Sequence, residues 1–129
     1  MASIFTKIIQ GEIPSYKVHE DENFLAFLDI NPLQKGHTLV VPKKEVDYFF
    51  DQDDSTIQDM MLFAKEVARK IKSSFPCNRV GMTVIGLEVP HAHIHLIPIN
   101  AEKDMNFRSP KLQLSPEEFK AIAETLQKA

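Results

Sequence analysis

The chain has 129 residues, 43% hydrophobic and 26% charged, which suits one globular domain and excludes a wholly disordered chain. Its net charge of −3 argues against a protein that binds the backbone of nucleic acids, because such proteins carry a basic surface. The longest stretch without a charged residue, 89–101, is too short to span a bilayer, the N-terminus lacks a signal-peptide pattern, and Cys77 has no disulfide partner, so we expect a cytoplasmic protein.

The first third of the sequence predicts a short helix followed by three strands. Ser3 can cap the helix, and Gly11 can end it. The apolar side of this helix consists of Ile4, Phe5, Ile8 and Ile9. Three runs rich in apolar and β-branched residues follow, each bounded by turn residues, and they predict strands at 16–19, 24–28 and 37–41.

The rest of the sequence predicts two helices with two strands between them. Apolar residues at helical spacing indicate a helix over 55–73, with Ser55 and Gln58 as a capping box. Strands are predicted at 80–85 and 91–99, and a polar stretch covers 100–111. Ser115 and Glu118 have the pattern of a second capping box. The order of elements predicts an α+β fold, with a five-stranded antiparallel sheet and helices on one face.

The most informative segment places three histidines at alternate positions: His91, His93 and His95. In a strand, alternate side chains point to the same face, so the three imidazoles should form a row about 7 Å apart. The residues that alternate with them are apolar and should pack on the helix at 55–73. They are Ala92, Ile94 and Leu96. His37 begins the third predicted strand and can join the row from a neighbouring strand.

Four interpretations of this histidine row are open from the residues alone. It can be a chance pattern, or a metal site, although no second cysteine completes a zinc motif. It can also act as a pH sensor, because three close imidazoles repel one another as cations. In the fourth interpretation, a neutral imidazole attacks phosphorus while its neighbours fix its tautomer and contact the phosphate or the leaving group.

Four segments of the sequence resemble the histidine triad (HIT) family. Residues 91–97 match the family pattern His-φ-His-φ-His-φ-φ, where φ is apolar, and residues 3–14, 24–32 and 36–44 resemble the nucleotide-binding, Hint-type branch. The resemblance implies one HIT-like domain over residues 1–129, with a core at about 3–99 and a C-terminal extension that carries a short helix at about 100–129. It also implies that the antiparallel sheet continues across a homodimer.

The resemblance implies a nucleotidyl hydrolase or transferase that acts at the α-phosphate of a nucleoside 5′-phosphoryl compound. The substrate would be a phosphoramidate or a dinucleotide polyphosphate, and the reaction would pass through a covalent nucleotidyl-histidine. His93 would be the nucleophile, and His91 and His95 would orient it and contact the phosphate or the leaving group. His37 would support the triad. No metal or other cofactor is implied.

The resemblance also places the nucleotide. Asp29 would bind the ribose hydroxyls, because a carboxylate accepts two hydroxyl donors well. The other implied nucleotide-binding residues are Phe5, Ile8, Phe27, Ile30, Leu39, Glu88 and Val89. The expected partners are a purine nucleotide and a second copy of the chain, with neither nucleic acid nor membrane.

The approach to the triad departs from the family pattern. Leu87 stands where the family has Gln, and Glu88 stands where a small hydroxyl residue is common. Leu cannot donate a hydrogen bond to a phosphate oxygen, and Glu would repel it. Two alternatives to the enzyme are therefore kept: a nucleotide-binding module with weak or no catalysis, and a histidine metal-binding protein.

Overall fold

A computed structural model describes residues 2–129, which form a five-stranded antiparallel sheet with three α-helices. The helices are α1 (Ile4–Ile9), α2 (Asp54–Ser74) and α3 (Pro116–Lys128). The strands are β1 (Lys17–Glu20), β2 (Phe24–Leu28), β3 (Thr38–Pro42), β4 (Arg79–Thr83) and β5 (Ile94–Ile99). Short 3₁₀ helices lie at Phe49–Asp51 and Glu102–Met105. The predicted α+β class and five-stranded antiparallel sheet are confirmed.

The strands lie in the order β1-β2-β3-β5-β4, and every neighbouring pair is antiparallel. This order places β5 next to β3, so that Leu39 pairs with His95. It also leaves one side of β4 without a neighbouring strand in the described chain. Among residues 2–129, no helix has both the length and the apolar character needed to cross a membrane.

The two faces of the sheet carry separate apolar cores. One face packs against α2 and α3, as predicted for the helices, and its core includes the residues that alternate with the histidines: Ala92, Ile94 and Leu96. The short helix α1 lies on the opposite face, so the prediction that the helices share one face is wrong for α1. There Phe5 and Ile8 pack against Leu25, Phe27, Leu39 and Val41. The histidines share this second face, so α1 and the imidazoles lie on the same side of the sheet.

The histidine strand is shorter than predicted, because β5 begins at Ile94 and the two preceding histidines lie ahead of it. The amide of His91 donates to the Val89 carbonyl at 2.8 Å, and the amide of Ala92 donates to Val46 at 2.6 Å. Pairing with β3 also ends here, since Pro42 has no amide hydrogen to donate. The prediction that strand geometry extends back to residue 91 is therefore wrong.

Candidate active site

A cavity of about 440 Å³ lies between α1, the ends of β2 and β5, and the loop that leads to the histidines. Its size is typical of sites for small molecules. The wall is mostly apolar. Among the residues that form it are Phe5, Ile8, Phe27, Asp29, Ile30, Leu39, Leu87, Glu88, Val89, His93, His95, Phe107 and Lys111. The cavity is therefore lined by ten of the predicted site residues, among them two histidines of the triad, His93 and His95.

The imidazole of His93 has a proton position set by the main chain. Its Nδ1 lies 2.7 Å from the carbonyl oxygen of His91. A carbonyl oxygen can only accept, so Nδ1 carries the proton and Nε2 keeps a free lone pair. Burial lowers the pKa of His93, against the opposing effects of the His91 carbonyl and the charge of Asp29, so the ring stays neutral at pH 7. A neutral ring with a free lone pair at a cavity wall is able to act as a nucleophile.

His91 lies behind the cavity wall and is fully buried. Its Nε2 donates to the carbonyl oxygen of Pro42 at 2.8 Å, which leaves Nδ1 as an acceptor for the Ser3 hydroxyl at 2.7 Å. Burial lowers the pKa of His91. Because both ring nitrogens are engaged with protein groups, this residue acts on the cavity through its carbonyl oxygen, which orients His93.

His37 and His95 form a hydrogen-bonded pair. The backbone amide of Leu33 donates to Nδ1 of His37 at 3.0 Å, so Nε2 of His37 carries the proton. That Nε2 lies 3.0 Å from Nδ1 of His95 and donates to it, so Nε2 of His95 is in turn protonated. A backbone amide thus fixes both tautomers and makes His95 a hydrogen-bond donor beside His93, whose ring centre is 4.9 Å away.

Burial lowers the pKa of both histidines strongly. The pKa of His37 falls to about 3, chiefly because of burial, with further lowering by the nearby His95 and Lys111. The pKa of His95 falls to about 4, because of burial and the neighbouring His93. Both rings are therefore neutral at pH 7, which agrees with the hydrogen bonds that assign their protons.

Asp29 follows β2 and lines the cavity beside this histidine pair. Its Oδ1 accepts from the Asn31 amide at 2.8 Å, and its Oδ2 lies 3.5 Å from Nε2 of His37. Burial raises its pKa, against the lowering effect of the Asn31 amide. The carboxylate has acceptor capacity left for hydroxyl groups of a ligand.

The apolar members of the predicted nucleotide-binding set come together around α1. Phe5 packs edge-on against His93 with ring centres 5.0 Å apart, and against Phe27 at 5.5 Å. Ile30 is 65% exposed and forms the outer rim. This arrangement gives a flat apolar ligand a slot that ends at His93.

The two residues that depart from the family pattern lie at the mouth of the cavity. Leu87 is 89% exposed, and Glu88 follows it in the loop before the triad. Leu87 offers no side-chain donor, and Glu88 brings a negative charge to the rim. A phosphate in this cavity must therefore find donors elsewhere.

One cluster of the described residues has the spacing of a metal site. Side-chain ligand atoms of Asp29, His37 and His95 all lie within 4.8 Å of one another. However, the Leu33 amide occupies the lone pair of His37 Nδ1, so the proton lies on Nε2, which would have to bind the metal. The hydrogen bonding of this cluster therefore opposes a metal ion.

Phe107 and Lys111 are among the lining residues that sequence reasoning missed. Phe107 lies edge-on to His95 with ring centres 4.8 Å apart. The sequence offered no periodic signal for them, because both fall in the polar stretch at 100–111. It also missed Ser3 as a partner of His91, since a helix cap already explained that residue.

Comparisons with known proteins identify relatives of this chain. Residues 10–102 match a family model described as HIT domain. An uncharacterized HIT-like protein of Borreliella burgdorferi is 39% identical over 128 residues, covering 93% of this chain and 92% of its own. A Schizosaccharomyces pombe protein named adenosine 5′-monophosphoramidase hnt1 is 35% identical, covering 98% and 96%. A crystal structure of a Hit-like protein from Bartonella henselae superposes with a TM-score of 0.84 at 29% identity, covering 98% and 95%.

Proposed function

The chain belongs to the HIT domain family, and from this premise we propose that it is a nucleotidyl hydrolase acting at the α-phosphate of a purine nucleoside 5′-phosphoryl compound. The observation that carries the proposal is the free Nε2 lone pair of His93 at the wall of an apolar cavity. The preferred substrate class is a nucleoside phosphoramidate, by analogy with the yeast relative named adenosine 5′-monophosphoramidase.

The proposed reaction has two displacements at phosphorus. Nε2 of His93 attacks the α-phosphorus, and the bond to the leaving group breaks as the nitrogen–phosphorus bond forms. The leaving group departs with the electron pair of that bond, hydrogen-bonded to Nε2–H of His95, and takes its proton from solvent. Water then attacks the phosphorus of the nucleotidyl-histidine and gives up a proton to solvent. The nitrogen–phosphorus bond breaks with its electron pair returning to Nε2 of His93, and the nucleoside monophosphate is released.

The nucleotide is proposed to lie along the cavity with its base on the α1 side. Asp29 accepts hydrogen bonds from the ribose hydroxyls. The base packs between apolar residues, which are Phe5, Ile8, Phe27, Ile30, Leu39 and Val89. Glu88 lies at the mouth, so we place it near the leaving group instead of the base. No metal takes part in this mechanism.

A nucleotide-binding module with weak catalysis is the second candidate, favoured by one observation. Leu87 points into solvent and supplies no donor to a phosphate oxygen. A Leu87→Gln variant that gains activity over a nearly inactive wild type would favour this candidate. Calorimetry would then show AMP binding without substantial turnover.

The proposal is tested with adenosine 5′-phosphoramidate, by following AMP release with and without EDTA. Wild-type protein should release AMP at the same rate with and without EDTA. In His93→Ala the rate of AMP release should fall by about three orders of magnitude or more. His19→Ala is the matched control, because His19 lies on β1 and packs against Phe63, away from the cavity. No turnover by wild type, or equal turnover by His93→Ala, would reject the proposal.

We also propose that the protein is a cytoplasmic homodimer that joins through β4. The outer edge of this strand has no neighbour in the described chain, and unpaired strand edges readily accept another strand. Exposed apolar side chains lie on or just after β4: Met82, Val84, Ile85 and Leu87. Pairing of two such edges would extend the sheet and cover these side chains.

A further inference from the structure

The charged groups that line the cavity carry a net negative charge, which is unfavourable for a phosphate ligand. Among residues 2–129, the cavity wall contains two carboxylates, Asp29 and Glu88, and one ammonium group, Lys111. The histidines beside them are neutral at pH 7. A nucleotide phosphate is negatively charged, so Lys111 is the wall residue that can offset its charge.

Lys111 is held in place by its own segment of the chain. Its Nζ donates to the carbonyl oxygens of Phe107 and Ser109, the latter at 3.2 Å. An ammonium group has three N–H donors, so one is left for a ligand. The next amide, that of Leu112, donates to the Pro32 carbonyl at 2.8 Å and fixes the segment against the loop before His37.

The same segment places Lys111 in the wall of the cavity that His93 and His95 also line. The Phe107 ring contacts His95 at 4.8 Å and His37 at 6.0 Å between ring centres, and its carbonyl oxygen holds Lys111. Phe107 and Lys111 both lie beyond residue 102, where the match to the family model ends. This chain therefore brings a cation to the cavity from outside the matched region, while Leu87 supplies no donor from within it.

We propose that Lys111 is the phosphate-binding cation of the cavity and donates to a non-bridging oxygen of the α-phosphate. The inference rests on the proposed function and extends it to the group that recognises the phosphate. Charge-assisted hydrogen bonds are stronger than neutral ones, and negative charge on these oxygens persists while His93 attacks. Lys111 thereby supplies the contact that Leu87 cannot make.

The test compares adenosine with AMP, which differ by the phosphate, in calorimetric titrations of wild type, Lys111→Ala and Lys103→Ala. Lys103→Ala is the matched control, because Lys103 is an exposed lysine of the same segment. Lys111→Ala should weaken AMP binding by about tenfold or more and leave adenosine binding unchanged. Lys111→Arg should retain most of the AMP affinity, and added salt should weaken AMP binding more in wild type than in Lys111→Ala.

Each other outcome overturns the assignment in a distinct way. If Lys111→Ala loses affinity for adenosine and AMP equally, the role of Lys111 is structural. A thermal melt of Lys111→Ala shows whether that variant is folded, and Lys111→Gln is a second variant that removes the charge with a smaller change of side-chain size. A loss for ADP but not for AMP would place Lys111 at the leaving group. If wild type hydrolyses the phosphoramidate but Lys111→Ala binds AMP as tightly as wild type does, this inference is refuted and the proposed function stands. Wild type that neither hydrolyses the phosphoramidate nor binds AMP refutes the proposed function as well.

Discussion

At the scale of single residues, the hydrogen bonds of four imidazoles divide them into two groups. His93 and His95 face the cavity, with a free lone pair on one and an N–H on the other. His91 and His37 lie behind them and set their orientation and their protons. The first pair is expected to touch the substrate, and the second pair to act through the first.

Replacing His37 tests this division. In His37→Ala, Nδ1 of His95 loses its donor, so the proton of His95 is free to move away from the cavity. We expect kcat to fall by about a hundredfold with little change in KM, because a hydrogen-bond donor to the leaving group is lost while the ribose and base contacts remain. Steady-state kinetics with the phosphoramidate would measure this split. A rise in KM with constant kcat would instead place His37 in ground-state binding.

The pH dependence of the reaction follows from the lowered pKa of His93. Its ordinary value is 6.5, and burial moves it down, so the free lone pair persists below pH 6.5. We expect kcat/KM to be flat from pH 8 to 6.5 and to fall at lower pH, as protonation removes the lone pair. Measurement of kcat/KM for the wild type as a function of pH gives the midpoint of this fall. A midpoint at or above pH 6.5 would contradict the assignment of an unprotonated His93 as nucleophile.

Some features of the site could be predicted from the sequence, and others could not. Alternation predicted that His93 and His95 share a face, and the structure has them together. The protons could not be predicted, because they depend on Leu33 and Pro42, which approach from other parts of the chain. Lys111 could not be predicted for the same reason, since only the folded chain brings it to the cavity.

At the scale of elements, helix ends were predicted with mixed success. Ser115 caps α3, and its capping box with Glu118 is present as predicted. Ser55 does not cap α2, because the helix begins one residue earlier, at Asp54, with Asp53 as its N-cap. The predicted Ser55–Gln58 capping box is therefore wrong. Asp53, Asp54 and Ser55 are adjacent, and each is a favourable N-cap residue. The local sequence therefore does not decide which of them caps α2.

The two serines make a matched pair for a stability measurement. Ser115→Ala removes the acceptor of the Glu118 amide and should lower the free energy of unfolding by about 1 kcal/mol. Ser55→Ala removes no such bond and should change it by less than about 0.5 kcal/mol. Urea unfolding followed by circular dichroism measures both variants. Equal losses would show that capping at Ser115 contributes little to stability.

At the scale of the whole molecule, the sheet order determines where a second copy can join. β4 lies at one end of the sheet, directly beside β5. A partner strand added there is therefore separated by β4 alone from β5, the strand that carries His95. The order β1-β2-β3-β5-β4 is not apparent from any one segment, because it depends on the return of β5 to β3 across the length of α2. The fold class was predictable from the order of elements, whereas this adjacency required the folded chain.

A charged side chain on β4 tests the proposed dimer. Met82 is 48% exposed, and Met82→Asp would bury two carboxylates against each other if two β4 edges pair. We expect wild type to sediment as a dimer at micromolar concentration and Met82→Asp as a monomer. Phe50→Asp, which changes another exposed apolar side chain far along the chain from β4, should remain dimeric. A monomeric wild type would remove the proposal.

The protons of the histidines are positioned by main-chain groups, namely the Leu33 amide and the carbonyls of Pro42 and His91. These groups stay in place when the side chains of Leu33, Pro42 or His91 are replaced, although the proton of His95 also depends on the side chain of His37. Base recognition, in contrast, is assigned to side chains such as Phe5 and Ile8. Reactivity and ligand choice are thus encoded in different parts of the polypeptide, so the slot can be redesigned for other nucleobases, or diverge in evolution, while the reacting nitrogen keeps its lone pair.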